Sequence, residues 1–292
     1  LYVSAGPHIK TNETISSIMS DVIISLIPSA FAGIVFFGYR ALAVILTAIA
    51  ASVFSEYTFC RIMKKHSTVG DLSAVVTGFL IGLNMPPDIP LWMTVIGSAF
   101  AIIIVKQLYG GIGKNFLNPA LAARCFMLIA WTASMTKFIS PFDGISSATP
   151  LAVMRGTPGD MPNLFEAFIG YKSGCIGETS AAALIIGFIY LVIKRVVRID
   201  ISVSYIFVFA ILTFFFGNNI TGTGKFYYTL MQIFTGGLMM GALFMATDYV
   251  TTPTTYKGQI IFGAGCGILT FLIRRFGGYP EGVSFSILLM NV

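Results

Sequence analysis

Charge is what this sequence has least of. Only 10% of its 292 residues are Asp, Glu, Lys or Arg, while 56% are hydrophobic; a soluble domain carries about 25% charged residues. So few charges cannot cover a water-facing surface, which excludes an ordinary soluble globule and requires much of the surface to face lipid. Histidine is scarcer still. His8 and His66 are the only two, both in polar stretches, which argues against a buried haem with two histidine ligands. The four cysteines, Cys60, Cys125, Cys175 and Cys266, stand apart with no CxxC pair, which argues against an iron–sulfur cluster held by this chain alone. No glycine-rich dinucleotide fingerprint follows a strand, so nicotinamide chemistry is not expected here, and no metal ligand set or catalytic constellation stands out. An electron relay built from this chain would need an organic cofactor.

What is present in quantity is apolar sequence. Nearly uncharged runs at 22–38, 41–60, 91–105, 181–193, 201–217 and 259–273 are clear, and weaker ones fall at 72–85, 119–135, 227–247 and 283–292. A hydrocarbon core of ~30 Å needs about 20 helical residues. The expected fold is all-α and polytopic, with about ten transmembrane helices and nine as the rival count. The last run reads as a truncated span, so the natural chain is expected to continue past Val292, and the polar first twenty residues do not read as a cleaved signal. The net charge of +6 reads as loop charge that sets topology, and nucleic acid is not expected as a partner. With the N-terminus inside, the inner loops hold ten Lys and Arg and the outer loops seven, leaving Arg124 aside.

The chain resembles itself. Thr77-Gly78-Phe79-Leu80 leads through an apolar helix to Tyr109-Gly110-Gly111, and Thr235-Gly236-Gly237-Leu238 leads likewise to Phe276-Gly277-Gly278. Two such halves of five helices each would insert with opposite orientation, as an inverted repeat. The expected organisation is a first transmembrane half at 1–135, an external polar loop at 136–177 and a second half at 178–292. A loop of that length is usually functional or disordered.

Ionisable residues near the membrane are costly and ask for a reason. Asp21, Asp71 and Glu178 lie at expected helix starts and read as caps. Asn118-Pro119 reads as an N-cap followed by proline at the first helical position. Arg124, almost two turns further in, could hold a cofactor phosphate or snorkel to the interface, with snorkelling favoured. Glu56, near the inner end of its helix, is a candidate for an ion path. Asp248 ends an apolar run beside Thr247, Thr251 and Thr252, where a broken helix could present polar groups to a cofactor or a cation.

Within the loop stands Asp143-Gly144-Ile145-Ser146-Ser147-Ala148-Thr149-Pro150. Small and hydroxyl residues around Gly and Pro predict a turn, and an Asp ahead of a small-residue neck suits presentation of an accessible threonine to a modifying enzyme. These residues resemble the flavinylation motif Asp-x-x-(Ser/Thr)-(Gly/Ser)-Ala-Thr. The rest of the chain resembles the family formed by the D subunits of Rnf electron-transport complexes and the related B subunits of sodium-pumping NADH:quinone reductases. The likeness runs through Asp71-Leu72-Ser73-Ala74, Asn118-Pro119-Ala120, Gly177-Glu178-Thr179-Ser180, Phe244-Met245-Ala246-Thr247-Asp248 and Gly278-Tyr279-Pro280-Glu281-Gly282. The resemblance implies a prokaryotic cytoplasmic-membrane subunit of a ferredoxin:NAD oxidoreductase that moves sodium or protons. It implies flavin mononucleotide (FMN) joined to Thr149 by a dedicated flavin transferase, with Asp143, Ser146, Ser147 and Ala148 presenting the segment. It also implies a second, non-covalent flavin such as riboflavin, and contacts with the complex's other subunits. The rival from another class is a transporter or channel whose inverted repeat surrounds a solute path.

Overall fold

In lipid every backbone polar group must find its partner within the chain, and helices achieve this locally. The computed structural model describes residues 14–66, 68–217, 224–278 and 281–292. It is built of α-helices, and among the described residues the only strand-like feature is an isolated bridge between Ile139 and Ser146. The protein is thus an all-α, multi-pass membrane protein. In chain order the helices are α1 (Ile15–Phe37), α2 (Tyr39–Ile62), α3 (Ser73–Leu83), α4 (Leu91–Gln107, with its second half π-helical) and α5 (Pro119–Ala130). Three short helices follow, α6 (Thr132–Met135), α7 (Pro150–Val153) and α8 (Leu164–Ile169). The last six are α9 (Ala181–Ile193), α10 (Ile199–Phe216), α11 (Lys225–Phe234), α12 (Leu238–Met245), α13 (Tyr256–Phe276) and α14 (Val283–Asn291).

Among the described residues four helices, α1, α2, α10 and α13, are each long and apolar enough to cross a bilayer, and α11 with α12 forms an apolar pair bent by 63°. The further apolar helices α3, α4, α5 and α9 are shorter, at 10–17 residues. α3 stops at Asn84, just before Pro86 and Pro87, and its 11 residues rise only about 16 Å. The two Thr-Gly stretches that resemble each other serve different local ends. Gly78 lies inside α3, where a Cβ would sit 2.7 Å from the carbonyl oxygen of Ala48 on α2. Gly236 and Gly237 are left-handed, at φ +67 and +71, and make the bend between α11 and α12.

Polar contacts gather at two ends of the bundle. At one, Asp88 bonds Lys137 at 2.8 Å and Arg40 at 3.5 Å, tying the α3–α4 connection to the α1–α2 turn and to the segment after α6. The Lys137 ammonium, then Arg40, holds the Asp88 carboxyl below its usual range. At the opposite end Asp21 accepts from Tyr190 at 2.6 Å, joining α1 to α9. Between the ends, α10 packs on α13, α2 on α3 and α4, and α1 on α9.

The segment 136–177 ends packed against the helices. Its last residues, Cys175, Ile176 and Gly177, are buried. The Ile176 N–H donates to Met85 at 3.1 Å, and the Gly177 carbonyl accepts from Ser29 of α1 at 3.1 Å. The chain can be buried here because these groups find partners within α1 and just past the end of α3, as burial demands.

A Gly78→Ala substitution is expected to destabilise the protein by about 1–3 kcal/mol, the range of core overpacking, since the atom it meets is backbone. Gly70→Ala, which meets nothing within 4 Å, serves as the control. Thermal unfolding of both in detergent checks the pair.

Candidate functional site

Thr149 sits where the loop turns into α7. Its backbone is extended, at φ −70 and ψ 153, and its hydroxyl accepts from the Ala152 N–H at 3.3 Å as an N-cap. Pro150 then takes the first helical position, where its missing N–H costs nothing. Thr149 is only 8% exposed, against the expectation of an accessible hydroxyl. It lines a cavity of about 280 Å³ together with Leu128, Met135, Phe138, Ala148, Ala152 and Glu281. The neck before it is shaped by the bridge at Ile139 and Ser146, by the Ser147 N–H donating to Phe138 at 3.1 Å, and by a contact of the Ser147 and Ser173 hydroxyls. Asp143 lies at the exposed tip of the turn beside left-handed Phe142 and Gly144. The fold thus brings Ser147 and Ala148 toward Thr149 and leaves Asp143 and Ser146 outward.

Beneath that cavity lies the densest ionic cluster in the described residues. Arg124 Nη1 donates to Glu178 at 2.7 Å and to Asn84 Oδ1 at 2.6 Å, while Nη2 bonds Glu281 and approaches the Cys175 sulfur at 3.4 Å. Four parts of the chain meet at one guanidinium: α5, the end of α3, the buried 175–178 stretch and the start of α14. This corrects the snorkelling reading. With two carboxylates at hand, Arg124 stays buried. It also corrects the capping reading for Glu178, whose carboxylate pairs with Arg124. Gly237 makes room there, since a Cβ on it would fall 2.5 Å from Glu178 Oε1. Cys175, Glu178 and Glu281 could offer a metal three donor atoms within 4.8 Å of one another, but the guanidinium already stands among them and supplies the positive charge.

The other predicted residues lie toward the opposite end. Asn118 caps α5, its Oδ1 accepting from Ala120 at 3.0 Å and Leu121 at 3.3 Å, as expected. Asn118, Thr247 and Asp248 line one cleft, with Lys106 and Phe244. The helix break falls upstream of Asp248, at residues 235–237, and Asp248 itself begins the connection to α13. Burial pushes its carboxyl up to about 6, opposed by the Val250 N–H and the Thr251 hydroxyl. Glu56 is fully buried and closed by partners: Lys106 at 3.0 Å and Gln107 at 2.8 Å, with the Thr68 hydroxyl also donating. Asp71 lies one residue ahead of the N-cap position, which left-handed Leu72 holds, and its carboxylate accepts from the Ser73 N–H at 2.8 Å. Asp21 does not cap: it lies within α1 and pairs with Tyr190.

Sequence reasoning missed Glu281, Asn84 and Lys106 as site residues. A signal for the first existed. One intramembrane arginine asks for a carboxylate partner, and Glu281 stands just ahead of the last apolar run.

Taken together, fold and site define a multi-pass helical membrane protein with a buried ionic junction under a threonine-bearing loop. The model of the NQR2, RnfD, RnfE family matches residues 2–292, and the chain belongs to that family. It is 47% identical to the D subunit of the Na(+)-translocating ferredoxin:NAD(+) oxidoreductase complex of Acetobacterium woodii, covering 100% of this chain and 91% of that one. It is 43% identical to the D subunit of the proton-translocating ferredoxin:NAD(+) oxidoreductase complex of Clostridium ljungdahlii, over 99% and 91%. With the D subunit of the ion-translocating oxidoreductase complex of Cronobacter sakazakii it shares 34% identity, over 99% and 94%.

Removing one partner of a buried pair costs about 3–5 kcal/mol, so Arg124→Met should lower thermal stability in detergent markedly and Arg124→Lys should restore part of it. A second outcome concerns Lys172, which is buried and donates to the carbonyls of Ala167, at 3.0 Å, and Phe234. Burial pushes its ammonium from 10.5 down to about 7, with Glu178 opposing. Between those values the unfolded segment holds a proton that the folded one has lost, so folding gains as pH rises through that window. Limited proteolysis of the 136–177 segment should be slower at pH 9 than at pH 6.

Proposed function

We propose that this chain is a flavin-bearing electron relay within an ion-translocating ferredoxin:NAD oxidoreductase of a prokaryotic cytoplasmic membrane. The observation that carries the reading is the place of Thr149. The last residue of the flavinylation-like motif opens into a cavity of about 280 Å³, close to the lower end of small-molecule pockets at roughly 300 Å³. Its walls are mainly apolar, with Leu128, Met135 and Phe138 on one side and the Glu281 carboxylate on another. That composition fits a flat ring with polar edges.

FMN would be held on Thr149 by a phosphoester to its hydroxyl, with the cavity walls excluding water. When bound, a flavin supplies one- and two-electron transfer that no side chain of this protein offers. Glu281, fixed by Arg124, would place a carboxylate beside the ring. Because Thr149 is nearly enclosed, the flavin transferase would act before α7 docks against the bundle. On the N-terminus-inside topology the loop faces the external side. The remaining partners are the other subunits of the complex, which would receive and pass on the electrons.

The names of the relatives differ in the ion they specify, sodium in one and protons in another, so this chain's complex would move one of the two. Asp248, which faces a cleft, is better placed for an ion than Glu56, whose carboxylate is closed by Lys106. That cleft holds about 90 Å³, too little for the three rings of riboflavin with its walls as they stand, so the second flavin is not assigned there.

Thr149→Val should abolish flavin fluorescence in the denatured chain and electron flow from ferredoxin to NAD, while membrane insertion is unchanged. Normal turnover in that variant would remove the loop from the electron path.

A further inference from the structure

A second cavity, of about 270 Å³, lies at the loop end among α7, α10, α11 and α13, and is lined by Arg155, Arg274 and Arg275 with Thr213, Tyr228 and Phe209. Arg274 is the unusual member. It is 7% exposed, yet no carboxylate lies within salt-bridge distance among the described residues. Its Nη atoms donate only to the carbonyls of Gln232, Thr235 and Gly236 and to the Gln232 amide oxygen, at 2.6–3.1 Å. Its Nε–H is buried and has no partner among the described residues. The Thr213 hydroxyl, 4% exposed and on the same wall, also has none among them.

Helix ends account for only part of this charge. Arg155 covers the end of α13, donating to the carbonyls of Ile273, Arg274 and Gly277, and Arg274 covers the end of α11. A helix C-terminus carries about half a negative charge, so two ends offset roughly one of three positive charges. Residues 218–223 and 279–280, adjacent in sequence to the lining residues Gly217 and Gly277, contain no Asp or Glu. Glu178 and Glu281 act on Arg274 only through space, their direct contacts being with Arg124, and two buried polar atoms without partners among the described residues are costly.

We propose that this cavity binds a phosphate group, with the guanidinium groups of Arg274 and Arg275 as its counter-charges and Thr213 as a further hydrogen-bond partner. Guanidinium matches phosphate in geometry and charge. The neighbouring surface of α10, with exposed Phe214, Phe215 and Phe216, suits the acyl chains of an anionic phospholipid, and basic pockets between membrane helices bind such headgroups. Free phosphate would offer the same chemistry. Thr149 does not line this cavity; it opens into the other one, so the site is separate from the proposed flavin attachment.

The test is native mass spectrometry of the intact membrane complex titrated with dioleoylphosphatidylglycerol, with dioleoylphosphatidylcholine as the zwitterionic control and inorganic phosphate as the soluble arm. The expected result is preferential binding of phosphatidylglycerol. Arg275→Gln, at the exposed rim, should weaken it about tenfold, and Thr213→Val about threefold, the range of one hydrogen bond to a charged or a neutral group. Lys225→Gln, outside the cavity, should change nothing. Binding of inorganic phosphate with the same variant pattern, and no preference for phosphatidylglycerol, would identify the soluble anion as occupant of the same site. Equal affinities of the two lipids, with no phosphate binding, would overturn the proposal, as would wild-type affinity for both anions in Arg275→Gln and Thr213→Val together.

Discussion

The buried pairing of Arg124 with Glu178 and Glu281 is the constraint around which the rest of the structure is arranged. A lone guanidinium at this depth would be expensive; two carboxylates and an amide oxygen make it tolerable, and they can reach it only if four separate parts of the chain converge. That convergence explains otherwise odd local features. α3 stops short so that Asn84 can turn inward. The chain is buried at 175–178, where it delivers Glu178, and Gly237 lacks a side chain where Glu178 must lie. The gain is specificity of arrangement rather than raw stability, since an apolar replacement of similar volume can match a buried ion pair in energy.

The same junction sets the geometry of the loop. Glu281 faces Arg124 on one side and the Thr149 cavity on the other, so the floor of that cavity is held by an ion pair. α7 is pinned from its other end by Arg155, which bonds carbonyls at the end of α13. Thr149 is therefore fixed between two anchored points, which is what a group tethered through one covalent bond would need to keep a constant distance to its neighbours. Relay of electrons depends on such fixed spacing, and a mobile loop would not supply it.

Much of the fold class was legible in composition, because shortage of charge and long apolar runs follow directly from a lipid solvent. The cap at Asn118 was legible too, since it depends on residues adjacent in sequence. What could not be read was any feature set by contacts between distant segments. The closure of Glu56 by Lys106, fifty positions away, is one case, and the burial of Arg124 by Glu281 is another. The enclosure of Thr149 belongs with them: small polar residues near a proline predict a turn, and only docking of that turn on α5 and Glu281 buries it. Breaks inside spans were likewise hidden, as hydropathy averages over the glycines and prolines that cause them.

What Thr149 carries decides whether this chain relays electrons. Trypsin cleavage after Lys137 and Arg155 would release residues 138–155 as one peptide, and its mass can be read on protein made in cells that hold the flavin transferase. The expected peptide bears FMN, with fragmentation placing the phosphoester on Thr149. An unmodified peptide from such protein would contradict the flavin-relay role.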